Sequence, residues 1–336
     1  MKFFQKFLFW VPLGILCLVF HACLQVPSLS LHPDDLQSGG HSLPPPVEGT
    51  FQIYFPYVGQ GDAGLMIFPN GKTLLIDAGP PGAGAKYLLP LLRELNIDRL
   101  DALLVSHYDA DHLGGIPSLL QGEDGIWKTA DDIAVGQAYD RGGEPMDFSP
   151  EYLPYLEALQ QKAVPRRRLA AGQEMLLDDS VEIRCLAAGA EVLSPRGDVI
   201  SIDLSPNTYT SKENAASIAL SFRFGDFKYF TAGDLTGGGM LNGFLSPDIE
   251  TLVAKTLGRV DVLHVNHHGS ATSSNAAFVA ATSPEAVMIQ AGKNNPYGHP
   301  NAEVVERWKN IGSRIYTTQE GVGFVLTSEG SGVEIR

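Results

Sequence analysis

Apolar positions along the chain fall into short runs that switch between the period of a strand and the period of a helix. Residues Phe51-Gln52-Ile53-Tyr54-Phe55 read as a strand, and Gly59-Gln60-Gly61-Asp62 as a tight turn after it. Residues 63–68 and 73–76 predict a hairpin joined by Pro69-Asn70-Gly71. Leucines at helical spacing predict a helix over 86–95, and 100–106 is a continuous apolar run of strand length that ends at His107. A second hairpin, 217–224 and 227–232, turns across Gly225-Asp226 and ends at Gly233-Asp234. Residues 260–265 form another buried strand, ending at His267-His268. A helix at 275–281, a strand at 286–290, a helix at 302–310 and strands at 314–317 and 323–327 follow. No internal repeat is visible. Three buried strands thus each end at a cluster of His and Asp, and loops at strand ends are where a rigid scaffold holds functional groups.

The N-terminus has a different pattern. Lys2 and Lys6 flank a start that runs into an apolar stretch at 7–20, followed by His21-Ala22-Cys23. A cationic region and then a short apolar one is the layout of a secretory signal, here residues 1–23. The run contains Pro12 and is short for a spanning helix, which needs roughly 20 residues. Ala22-Cys23 is placed like a lipoprotein processing site, which would leave a lipidated Cys23 and membrane attachment; plain secretion and an uncleaved anchor are the alternatives. Residues 24–49, with Pro27, Pro33, Gly39-Gly40 and Pro44-Pro45-Pro46, predict a disordered or extended linker. The folded domain is expected over 50–336, in a protein exported to the cell surface or periplasm. No protein partner is inferred.

Composition adds limits. At 44% hydrophobic and 18% charged, the 336 residues are ordinary for a globular protein with a core of normal size. The formal net charge of −14 argues against long-range attraction to polyanions, because Lys and Arg contacts to phosphate drive most nucleic-acid affinity. A local basic groove is still compatible with that balance, and carboxylates that bind cations inflate the negative count. With the signal removed and Cys23 lipidated, Cys185 has no partner for a disulfide. Ile183 and Leu186 beside it predict a buried, inert thiol.

The densest chemistry lies in Ser106-His107-Tyr108-Asp109-Ala110-Asp111-His112-Leu113-Gly114-Gly115, with two imidazoles and two carboxylates in six residues of a chain that has nine histidines. Carboxylates this close raise each other's pKa, and a divalent cation relieves the repulsion. Imidazole with carboxylate suits Zn, Mn or Fe. The glycines let the chain turn sharply into the next helix. Asp234, in Thr231-Ala232-Gly233-Asp234, is the candidate shared ligand. In Asn266-His267-His268-Gly269-Ser270, His267 is the favoured closing ligand and His268 the alternative. His264, in mid-strand, reads as a core residue.

The order Val58-Gly59-Gln60-Gly61-Asp62, Leu75-Ile76-Asp77-Ala78-Gly79, 106–115, Glu213-Asn214-Ala215-Ala216-Ser217, 231–234, 261–274 and Tyr297-Gly298-His299-Pro300 resembles the hydrolase domain of ComEC-type DNA-uptake (competence) proteins, in the metallo-β-lactamase superfamily. The resemblance spans about residues 50 to 328. It implies an α+β fold, the αββα four-layer sandwich, with two divalent metal ions (Zn or Mn) at one edge. His107 and Asp109 would serve one ion and Asp111 and His112 the other, with Asp234 bridging and His267 completing the second site. Asp77 resembles the structural acid that orients the site. In the wider superfamily another metal-binding His precedes the bridging Asp. Here no His lies between His112 and His264, and Asn214 stands in that stretch, which leaves the first site short of ligands. The multi-pass channel that accompanies this domain in competence proteins has no counterpart in the sequence, so DNA transport is not expected.

Two metals would lower the pKa of a shared water and make hydroxide the nucleophile, with Asp111 or Asp109 accepting its proton. His299 and Lys293 are candidates for meeting developing negative charge or protonating a leaving group. Asn214, Ser217 and Ser270 are candidate hydrogen-bonding groups for a phosphodiester substrate, DNA among them. Arg166-Arg167-Arg168 offers phosphate contacts or a solvated charge run, and the 120–212 segment around it is expected as a rim or lid. Gly122-Glu123-Asp124-Gly125 and Ala130-Asp131-Asp132 read as a calcium-binding or plain surface loop. These observations point to an exported phosphodiesterase or nuclease, with a small-ester hydrolase (phosphocholine ester, lactone or β-lactam) or a non-catalytic DNA-binding module as alternatives.

Overall fold

Both faces of the central strands are apolar, and that decides the layering. In β1 (Phe51–Phe55), Ile53 and Phe55 point to one side and Tyr54 to the other, and all three are buried. The computed structural model describes residues 45–205, 211–241 and 243–336. The signal and most of the linker expected over 1–49 lie outside the described residues. Among the described residues no helix is long and apolar enough to cross a membrane.

After β1 come β2 (Gly64–Ile67), β3 (Thr73–Ile76), β4 (Arg99–Leu104), β5 (Ala134–Asp140) and β6 (Arg166–Arg168). The chain then builds β7 (Glu174–Met175), β8 (Val181–Ala188), β9 (Glu191–Leu193), β10 (Val199–Ser201), β11 (Ala219–Phe224) and β12 (Phe227–Thr231). A small hairpin, β13 (Met240–Leu241) and β14 (Phe244–Leu245), precedes β15 (Val262–His264), β16 (Ala286–Ile289) and β17 (Arg314–Thr317). Last come β18 (Phe324–Ser328) and β19 (Glu334–Ile335). The first sheet has the order β19-β18-β1-β2-β3-β4-β5-β6; the second has β10-β9-β8-β11-β12-β15-β16-β17, with β7 against β8.

Ile53, Phe55, Leu74 and Leu104 of the first sheet meet Phe222 and Tyr229 of the second, and Phe51 stacks on Phe222 at 5.9 Å between centroids. Each such side chain stabilises the fold by about 1.5–3 kcal/mol on burial. On the outer face of the first sheet, Tyr54, Leu75 and Leu103 pack with Leu89, Leu92, Ile116, Leu119 and Tyr155 from helices. On the outer face of the second, Phe230, Leu263 and Val287 pack with Val253, Phe278 and Trp308. Helix, sheet, sheet, helix is the expected αββα sandwich.

β3 and β4 run parallel, as do β12 and β15. Parallel neighbours end at the same edge, so Asp77, His107, Asp234 and His267-His268 converge there although they are far apart in sequence.

Residues 120–212 differ from the rim or lid expected of them. Much of the segment is built into both sheets: β5 and β6 extend the first, and β8 sits inside the second between β9 and β11. The arginine triplet is the short strand β6. Arg166 is bound to Asp140 at 2.5 Å and Arg168 to Glu191 at 2.8 Å, so two of the three guanidiniums have carboxylate partners within the domain. Cys185 lies in β8, and burial pushes its thiol up to about 12, as suits an inert core residue.

Candidate metal centre

The backbone at the sheet edge is packed too closely for side chains at several glycines. A Cβ on Gly61, whose φ is +142°, would lie 2.2 Å from the Asp111 carbonyl oxygen, and one on Gly233 would lie 2.5 Å from Ser106 Oγ. That closeness lets the Asp62 N–H donate to the Asp111 carbonyl at 3.2 Å, tying the early turn to the metal loop. His267 and His268 form a short helical turn with φ of +52° at both, a conformation that costs non-glycine residues energy and is found at functional sites.

Asp77 organises the second layer. Its Oδ1 accepts the Ser106 N–H at 2.8 Å, and its Oδ2 lies 2.6 Å from Ser106 Oγ and 2.9 Å from His112 Nδ1. With Nδ1 engaged, Nε2 of His112 turns inward, 3.1 Å from Asp234 Oδ1 and 3.9 Å from Asp111 Oδ1. His107 Nδ1 lies 3.0 Å from Ser106 Oγ, and its Nε2 is 3.5 Å from Asp109 Oδ2 and 3.9 Å from Asp234 Oδ2. Of the histidine pair, His268 rather than the favoured His267 stands beside Asp111, with Nε2 at 3.2 Å from Asp111 Oδ2 and 3.5 Å from Asp234 Oδ1. His267 Nε2 sits 3.5 Å from Asp234 Oδ2 and 3.1 Å from the Asn214 amide, with its Nδ1 near the Thr272 hydroxyl.

His107 Nε2, His112 Nε2, His268 Nε2 and Asp234 Oδ1 are buried and have no hydrogen-bond partner among the described residues. Buried polar atoms left so are costly, and four of them gathered around Asp234 at one edge fit cation binding. Three overlapping groups result at this edge, His107–His112–Asp234, Asp111–His112–His268 and Asp62–Asp234–His268, each with donor atoms within 4.8 Å of one another. Burial opposes charge on His112 and His268, yet Asp234 and its neighbouring carboxylates hold both imidazoles well above their ordinary range. Burial likewise works against the Asp111 carboxylate, which His112 and His268 nonetheless lower to about 2. Such mutual dependence of imidazoles and carboxylates is what a bound divalent ion replaces.

The other expected site residues lie at varying distances. Half-buried His299 stacks on His268 at 6.0 Å between centroids, and burial, with repulsion from His267 and His268, lowers it to about 4. The Ser270 hydroxyl lies 3.1 Å from that of Thr272, and its backbone N–H donates to the His267 carbonyl at 2.7 Å. Ser217 is buried, its hydroxyl unpartnered among the described residues. Lys293 is exposed on the loop that leads to His299. Asp124, Asp131 and Asp132 gather at the surface, where Asp131 accepts the Glu123 and Asp124 N–H groups and the Thr129 hydroxyl.

Residues 56–165, which include the first metal loop, match the model of the Metallo-beta-lactamase superfamily. Over that stretch the chain is similar to metallo-β-lactamase domains. It is 28% identical to ComE operon protein 3 of Bacillus subtilis over 78% of this chain and 31% of that protein. It is 27% identical to Competence protein ComA of Neisseria gonorrhoeae over 77% of this chain and 30% of that protein. The chain thus spans less than a third of the length of these relatives. Among solved structures, a mutant of CmlA beta-hydroxylase superposes with a TM-score of 0.50 at 16% identity, over 85% of this chain and 55% of that one, a likeness of fold alone. The metallo-β-lactamase superfamily comprises metal-dependent hydrolases, and the fold implies divalent-metal binding at this edge.

Residues that sequence reasoning missed hold this centre in place. Glu213 accepts the Tyr108 N–H at 2.9 Å and pairs with Arg141 at 2.7 Å. Glu250, fully buried, accepts from Asn266 Nδ2 (2.7 Å), the Ser274 N–H (2.7 Å) and the Asn275 N–H (2.8 Å), bracketing the histidine loop. Burial pushes its carboxyl up from 4.5 to about 7 against those donors. The folded protein therefore keeps a proton that the unfolded chain releases, and stability falls as pH rises from about 4.5 to about 7, by roughly 3 kcal/mol. Glu250→Gln is expected to flatten that stretch of the stability curve, read as denaturation midpoints at about pH 5 and about pH 7. An unchanged slope would show that Glu250 is not its source.

Proposed function

We propose that the chain is an exported, metal-dependent phosphodiesterase acting on nucleic-acid strands. One observation carries the reading: three buried imidazole nitrogens and the Asp234 carboxylate converge without partners at an edge where Asp109 and Asp111 remain about a third exposed. Similarity to proteins named for competence supports a nucleic-acid substrate. Export, with or without lipid on Cys23, rests on the pattern of residues 1–23.

His107, Asp109 and Asp234 would hold one ion, and Asp111, His112, His268 and Asp234 the other. When bound, divalent ions, Zn or Mn by this imidazole and carboxylate set, would activate water and polarise a substrate oxygen. Asp111, held to about 2, suits ligation better than proton transfer, which leaves Asp109 as the carboxylate placed to take a proton. His299 is neutral at working pH, since burial holds it to about 4. It offers an N–H to a leaving oxygen rather than a positive charge. Asn214, which donates to Asp234 Oδ2 at 3.4 Å, orients that carboxylate.

The net charge of −14 favours a second reading, a small ester with few phosphates. The full chain, loaded with Mn or Zn, is to be assayed on plasmid DNA and bis(p-nitrophenyl) phosphate, with Asp111→Ala as control. Cleavage of both that disappears in the variant, with the DNA reaction weakening steeply with salt, is the expected result. Turnover of small esters without DNA cleavage supports the second reading, and no turnover with either ion leaves a DNA-binding module.

A further inference from the structure

We infer that the two metal positions are held unequally, and that Asp62 makes the Asp111–His112–His268 position the tighter one. The inference rests on the metal-dependent reading above. Asp62 comes from the Gly59-Gln60-Gly61-Asp62 turn, is 2% exposed, and is assigned to neither ion above although it groups with Asp234 and His268. Its Oδ1 lies 3.0 Å from His268 Nδ1 as an ion-pair contact, while the hydrogen bond of that nitrogen goes to the Gln290 carbonyl oxygen, also at 3.0 Å. The Gln290 side chain is itself fixed, donating to the Pro56 carbonyl at 2.8 Å and accepting the Ala63 N–H at 3.2 Å. The backbone of Asp62 is pinned at both ends, by its N–H to Asp111 and by the Gly79 N–H to its carbonyl at 2.9 Å. The backbone that carries the carboxylate is therefore fixed beside the imidazole.

A carboxylate behind a ligating imidazole fixes its tautomer and makes the inward nitrogen more basic, and losing such a partner typically costs about 10–100-fold in metal affinity. Both imidazoles of this position have one: Asp77 stands behind His112 and Asp62 behind His268. The other position has a single imidazole of its own, His107, whose Nδ1 meets only the neutral Ser106 hydroxyl. The neighbouring Asn214 amide donates toward Asp234 Oδ2 and His267 instead of offering a lone pair. One position has a carboxylate beside each of its two imidazoles; the other has a neutral hydroxyl beside its one.

The test is titration of the chelator-stripped full chain with Zn(II) against a competing chromophoric chelator. One tight equivalent and a second at least about tenfold weaker is the expected result. Asp62→Asn should weaken the tight equivalent by about 10–100-fold and leave the weak one within about twofold. Asp109→Ala should remove the weak equivalent and spare the tight one, a contrast that holds even if the Asp62 variant misfolds. Two equivalents of equal affinity, or a folded Asp62→Asn that binds like the parent, overturn the inference while the metal-dependent reading stands. Absence of any bound Zn(II) overturns that reading, and the inference with it.

Discussion

Replacing Asp234 by asparagine is expected to leave a folded protein that retains less than one ion and has lost hydrolysis. The carboxylate is the one group within 3.9 Å of the inward nitrogens of all four histidines, His107, His112, His267 and His268. Burial opposes its ionisation, but His267, His268 and His112 hold it well below the ordinary carboxylate range, so it is an anion at any working pH. Asparagine keeps the volume and discards the charge. Each position then loses an anionic ligand, and the imidazoles lose the group that offsets their mutual repulsion. The loss should exceed the roughly 10–100-fold that follows removal of an outer partner such as Asp62. Metal content after gel filtration and turnover of bis(p-nitrophenyl) phosphate would read both effects. A variant that keeps two ions and half its rate would remove Asp234 from the centre of the mechanism.

Asp234 was legible in the sequence because a hairpin strand delivers it, and the same holds for His107 to His112 and for Asp77. Strand ends are readable from apolar runs, and parallel neighbours bring their ends to one edge. The choice between His267 and His268 was not readable. Both follow β15 in a turn where each has φ of +52°, and such a turn rotates side chains in a way that strand periodicity does not encode. The alternation Val181-Glu182-Ile183-Arg184-Cys185 in β8 carried a strand signal, which the expectation of a lid obscured. β6 carried none: three arginines make a strand only because Asp140 and Glu191 receive two of them and β5 supplies the ladder. Asp62, Glu213 and Glu250 were missed as positioning residues for a related reason. A single acid in a turn or helix looks like surface until the fold shows what its oxygens receive.

Glu213 shows how much such a residue can carry. Its replacement by alanine is expected to cost about 3–5 kcal/mol, more than Arg141→Ala. Both residues are buried, and the guanidinium donates Nε to Oε1 at 3.0 Å and Nη2 to Oε2 at 2.7 Å. Removing Glu213 strands the Arg141 charge and also leaves the Tyr108 and Met146 N–H groups without their acceptor, at about 1–3 kcal/mol for each buried donor. Removing Arg141 leaves a carboxylate that still receives those two N–H groups, a smaller loss even though the guanidinium also packs 4.3 Å over the Tyr108 ring. The double variant should therefore be little worse than Glu213→Ala alone, because the stranded charge is gone. Chemical denaturation of the four proteins in chelator, closed as a double-mutant cycle, measures this coupling without the contribution of metal. Tyr108 sits between His107 and Asp109, so Glu213→Ala should also loosen the weaker metal position and lower its occupancy in the loaded protein. If Arg141→Ala proves the costlier change, the anchor of the metal loop is the guanidinium packed on Tyr108 and not the carboxylate.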